Sequence, residues 1–70
     1  MAQDIFCGKI VHNGLSYNVY LDGSKIVWVA KVNDDGVEIT SNGKYQNNIR
    51  AENEEHALEM AKSIIDHWGI

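Results

Sequence analysis

The sequence has no proline, a single cysteine and a single arginine among its 70 residues. Cys7, being alone, cannot close a disulfide within the chain, and no Cys/His cluster has the spacing of a zinc site. A small chain without such staples reads as an intracellular product rather than a secreted one. Its first residues, "MAQDIFCG", carry neither a basic region nor an apolar run of the signal-peptide kind, so the expected location is cytoplasmic. The longest uninterrupted apolar run, "IVWVA", is far too short to span a bilayer. Neither GxxxxGK[ST] nor GxGxxG occurs, so no phosphate-cradling loop is written into the chain. Positive charge is also in short supply. The formal net charge of −4 weighs against nonspecific attachment to nucleic acid or anionic membrane.

What is present suits one small globular domain over residues 1–70, with an apolar fraction of 44% that argues against disorder. A chain of this length buries only about 60% of the surface it exposes when unfolded, so its stability margin is thin.

Three dipeptides punctuate the first half: Asn13-Gly14, Asp22-Gly23 and Asp35-Gly36. Each tolerates the positive φ of a two-residue hairpin turn, and each is flanked by β-branched and aromatic residues. The reading is an α+β fold, a four-stranded antiparallel β-meander followed by one C-terminal helix (ββββα). Its strands are expected at about 4–12, 15–21, 25–33 and 37–46. Two-residue turns would pair Ile10 with Tyr17, Val19 with Ile26, Tyr17 with Trp28, and Val32 with Ile39. Directly opposite residues share a face. One face would then gather Phe6, Ile10, Leu15, Tyr17, Val19, Leu21, Ile26, Trp28, Ala30, Val32, Val37 and Ile39. The same register sets Gly43 opposite Trp28 and Tyr45 opposite Ile26. A turn at Asn42-Gly43 with a short fifth strand is the alternative for this region.

A helix is expected over about 54–68, with Asn53 as N-cap and Glu54 and Glu55 at the positive end of its dipole. Ala57, Leu58, Ala61, Ile64, Ile65 and Trp68 recur at helical spacing on one side, and Gly69 suits the C-terminus. Laid across the apolar sheet face, this helix would bring Trp68 toward Trp28.

The opposite sheet face follows by subtraction. It would hold Lys9, Val11, Asn18, Tyr20, Lys25, Val27, Val29, Lys31 and Lys44, an apolar centre with a lysine rim, while most acids fall on the helix or in turns. Solvated sheet faces and strand-guarding lysines are common. The alternative is a contact surface for a protein partner or a second copy. On that reading Val27→Glu would abolish contact and leave folding intact.

Catalytic and metal chemistry find little support. Cys7 and His12 have opposite strand parity, so they do not form a nucleophile–base pair, and Cys7 reads as a small apolar strand residue. His12, His56 and His67 lack ligand spacing, and "VNDDGVE" lacks the alternating ligands of a calcium loop. No enzyme activity, metal or cofactor is expected.

The segments "YNVYLDGSKIVWVAKVNDDG" and "RAENEEHALEMAKSIIDHW" resemble small phage-encoded proteins of the meander-plus-helix kind, among them type I-F anti-CRISPR proteins. The clearest shared part is "DGSKI". The resemblance implies an acidic inhibitor of a nucleic-acid-handling complex, acting in the cytoplasm of a bacterial host, and it carries over no contact residue. The single C-terminal helix departs from that pattern. Three functions compete. The first is a protein-binding module working through the sheet face. The second is nucleic-acid binding through the same face, as in plant AP2-type and phage integrase arm-binding domains, with Lys9, Lys25, Lys31, Lys44 and Asn18 as readers and Arg50 on a phosphate. The third is a structural protein with no soluble ligand.

Overall fold

The computed structural model describes residues 4–39 and 45–69. The chain runs β1 (Ile5–His12), β2 (Leu15–Leu21), β3 (Ile26–Val32), β4 (Glu38–Ile39), β5 (Tyr45–Arg50) and α1 (Glu54–Trp68). Every strand pairing is antiparallel: β1 with β2, β2 with β3, and both β4 and β5 with β3. β4 lies against Lys31 and Val32, and β5 against Ile26, Trp28 and Val29. The two short strands thus share one edge of β3, where a single strand over 37–46 was expected. Lys44, Gly43 and Asn42 lie outside the described residues. The fold is the expected α+β arrangement, an antiparallel sheet with one C-terminal helix across one face.

The first hairpin forms as its residues dictate. Asn13 and Gly14 are both at positive φ, 56° and 79°, and Ile10 pairs with Tyr17. The second does not. Asp22 N–H donates to Ile26 O and Lys25 N–H to Asp22 O, both at 3.0 Å, closing a loop of Gly23, Ser24 and Lys25. The Asp22 carboxylate accepts from the backbone N–H of Ser24 (2.8 Å) and of Ile26 (3.0 Å). The left-handed position falls on Lys25 (φ 64°), not on Gly23. Val19 therefore meets Val29 where a two-residue turn would have met Ile26. This displacement is odd, and an odd displacement turns a whole strand over.

The consequence corrects the sequence reading. Val27 and Val29, expected outside, are fully buried beneath the helix, and Lys31 shares their side. Trp28, Ala30 and Val32, expected in the helix-side core, pair with Tyr20, Asn18 and Ser16 on the opposite face. Ile26 turns with them. Trp28 and Trp68 do not share a face. The third loop repeats the second. Asn33 N–H donates to Val37 O, Gly36 N–H donates to Asn33 O, and the Asn33 side chain accepts from Asp35 N–H and Val37 N–H. Gly36 holds the left-handed position (φ 80°), and Val32 meets Glu38 rather than Ile39.

The core between sheet and helix joins Tyr17, Val19, Leu21, Val27 and Val29 to Ala51, Ala57, Ala61, Ile64 and Ile65. Each buried Val, Leu or Ile contributes roughly 1.5–3 kcal/mol relative to exposure. Valines facing alanines fill a gap that an indole would overfill. The helix matches its expected bounds. The Asn53 side chain accepts from His56 N–H at 2.8 Å, and Gly69 (φ 68°) donates to Ile65 O. Leu58 is partly buried, but Trp68 is 48% exposed. Its indole N–H donates to Gln46 O at 3.1 Å, and its ring meets Tyr45 edge-on.

β1 carries one irregularity. Phe6 pairs with Tyr20 and Gly8 with Val19, so Cys7 is an extra residue, a β-bulge. Gly8 has φ 149°, and a Cβ there would stand 3.3 Å from Leu58 Cδ2. Both the conformation and the helix above demand glycine. Beyond the bulge the parity of β1 reverses. Phe6, expected in the core, emerges on the face away from the helix.

Candidate functional site: the outer sheet face

The face opposite the helix is built from β1 residues Phe6, Lys9 and Val11, β2 residues Ser16, Asn18 and Tyr20, and the β3 residues Trp28, Ala30 and Val32. Glu38 joins them opposite Val32, and Gln46 opposite Trp28. Arg50 stands opposite Ile26 at the foot of this face.

Its centre is aromatic. Tyr20 stacks on Trp28 with centroids 4.2 Å apart and planes 10° from parallel, and Phe6 meets Tyr20 edge-on at 5.4 Å. Trp28, Ala30 and Val32 are only 8%, 2% and 5% exposed although they lie on the face away from the helix. Phe6 and Val11 stay open, at 54% and 67%. Beside the stack, the Glu38 carboxylate accepts hydrogen bonds from the Asn18 amide at 2.7 Å and from the Tyr20 hydroxyl. The Glu38 hydrogen bond, then burial, then the negative charges of Glu38 and Asp4, hold the Tyr20 phenol above its ordinary pKa.

The residues singled out from sequence are thus divided. Lys9, Val11, Asn18 and Tyr20 do share the outer face. Lys25 sits in a loop rather than a strand, Lys31 points to the helix side, and Val27 and Val29 are core. Lys44 lies outside the described residues. Sequence reasoning missed Phe6 and Trp28 as members of this face. The signal for Phe6 was Gly8, since a glycine inside a strand pattern marks a bulge.

Elsewhere, the Cys7 thiol packs against the core and is raised above its ordinary pKa by burial and the nearby Glu54 charge. His12 Nε2 meets Asp66 Oδ1 at 2.7 Å, tying the end of β1 to the helix. Among the described residues no cavity forms and no group of three His, Cys, Asp or Glu gathers to hold a metal. No helix among them is long and apolar enough to cross a membrane. Comparison with protein-family models, curated proteins and solved structures finds no match.

Proposed function

We propose that the chain is a non-enzymatic protein-binding module that contacts its partner through the outer sheet face. One observation carries this reading. A bulge that requires glycine at position 8 turns Phe6 out of the helix-side core and leaves it 54% exposed, beside the Tyr20–Trp28 stack and in line with Val11. Bulges re-aim side chains near functional surfaces, and exposed aromatic and aliphatic anchors are the material of interface centres. An inhibitor of a host complex, as the anti-CRISPR resemblance implies, is one form of such a module. The shared "DGSKI" supports that form little, because those residues are accounted for by the Asp22 loop.

A photo-reactive phenylalanine analogue at position 6, with the same analogue at the exposed Glu59 as control, tests the role in the source cell. A protein adduct formed only from position 6 is expected. Adducts from both positions alike, adducts to nucleic acid, or no adduct would overturn it.

A further inference from the structure

We infer that the partner presents an acidic segment with an apolar anchor, the anchor received by Phe6 and Val11 and the acids by Lys9 between them and by Lys25 and Arg50 at one end of the sheet. The inference rests on the protein-binding role and adds the chemistry of the partner.

The charges on the outer face are distributed unlike those of the whole chain. Lys9 stands exposed between Phe6 and Val11 on β1. Arg50 is exposed at the foot of the face, opposite Ile26. The Lys25 carbonyl accepts the Ala51 N–H at 3.0 Å, which brings Lys25 beside Arg50 at the same end of the sheet. Among the described residues none of these cations joins an ion pair, whereas His12 pairs with Asp66. Glu38, the carboxylate on this face, is engaged by Tyr20 and Asn18, which leaves Asp4 as the other acid near Tyr20. The helix instead carries Glu54, Glu55, Glu59 and Asp66, all exposed. A chain of net charge −4 thus places Lys9 and Arg50 on the surface that also bears its open apolar residues, with Lys25 in the loop at one end and the acids Asp22 and Glu52 nearby in sequence. Complementary potential of this kind selects and orients a partner.

Lys25 adds an independent observation. The Asp22 and Asn33 loops share their hydrogen bonds, yet one holds Gly36 and the other Lys25 at the left-handed position. That conformation is unfavourable for lysine and free for glycine. A side chain kept there despite the strain points to a use for its ammonium. Protein is favoured over nucleic acid because the face carries exposed Phe6 and Val11 and only one arginine among its described cations, the residue base recognition relies on most.

The test is panning a random dodecapeptide display library against the folded protein, with Phe6→Glu as counter-target. Clones combining Asp or Glu with an apolar anchor are expected. Their affinity should fall roughly tenfold or more in Lys9→Glu/Arg50→Glu, about 1.4 kcal/mol per tenfold. It should fall in Lys25→Gly while that variant melts higher. Lys9→Met/Arg50→Met replaces the reversal if circular dichroism shows the latter misfolded. Clones that need Phe6 but are basic, or ignore the cations, would overturn the inference and spare the protein-binding role. An absence of Phe6-dependent clones would overturn both. So would an oligonucleotide that binds this face more tightly than any clone.

Discussion

Lys25→Gly should stabilise this protein. The residue is at φ 64° with an exposed side chain, so its replacement sacrifices little packing. Left-handed backbone costs a non-glycine residue about 1–2 kcal/mol, and relief of that strain is the gain. Against it stands the extra freedom of glycine in the unfolded chain, about 0.4–1 kcal/mol. The balance is a gain of roughly 0.5–1 kcal/mol. For a domain of this size 1 kcal/mol moves the melting temperature by roughly 4–8 °C, so thermal unfolding followed by circular dichroism should report a rise of about 2–8 °C. Gly36→Lys is the mirror experiment. Gly36 is at φ 80° in the same loop geometry, with nothing within 4 Å of an added Cβ, so its loss should be a backbone loss of similar size. Lys25→Ala keeps the strain and removes the ammonium, and should melt near the wild type. A lower melting temperature for Lys25→Gly, or an unchanged one for Gly36→Lys, would refute the loop assignment and the register it imposes on β3.

Other substitutions probe the faces. Val27→Glu places a carboxylate at a fully buried core position and should unfold the domain, whereas Phe6→Glu should keep the fold and lose about 1 kcal/mol of aromatic contact; amide dispersion in NMR spectra distinguishes them. A well-dispersed Val27→Glu spectrum would contradict the strand orientation. Gly8→Ala should lose about 1–3 kcal/mol in denaturant unfolding, from the backbone strain at φ 149° together with crowding against Leu58. Glu38→Gln should lower the Tyr20 pKa, read from phenolate absorbance. A folded pKa raised above the unfolded value gives stability that is complete below the unfolded pKa, near 10, and lost as pH rises through the folded pKa. The wild type should thus weaken in the alkaline range, with Tyr17, raised by burial, contributing in the same sense, and Glu38→Gln should weaken less steeply there.

The helix was readable to the residue because its signals are local: Asn53 caps it, Gly69 ends it, and the buried residues recur at its period. The meander was readable for the same reason, through its Gly-bearing turns. The sheet faces were not. Asp22-Gly23 is compatible with two loop lengths, and the longer one is held by hydrogen bonds from Ser24 and Ile26 to the Asp22 side chain, a preference of Asp that does not by itself exclude the two-residue turn. Both lengths bury apolar residues, since Val27, Trp28, Val29 and Ala30 form an unbroken apolar run. Alternation therefore gave no veto, and the helix contact decides. The interaction surface inherited that error at Val27 and Val29 and kept Lys9, Val11, Asn18 and Tyr20, which lie on strands whose turn was read correctly.

The Cys7–Gly8 bulge makes the outer face depend on one β1 residue staying unpaired rather than on the chemistry of Phe6. Removing Cys7 would erase the extra residue and restore strict alternation along β1. Phe6 would then adjoin Gly8 and keep its place opposite Tyr20, on the outer face. What would turn Phe6 to the helix side is the same strand paired without the bulge, Cys7 against Tyr20, and the glycine backbone at position 8 (φ 149°) holds the strand away from that slip.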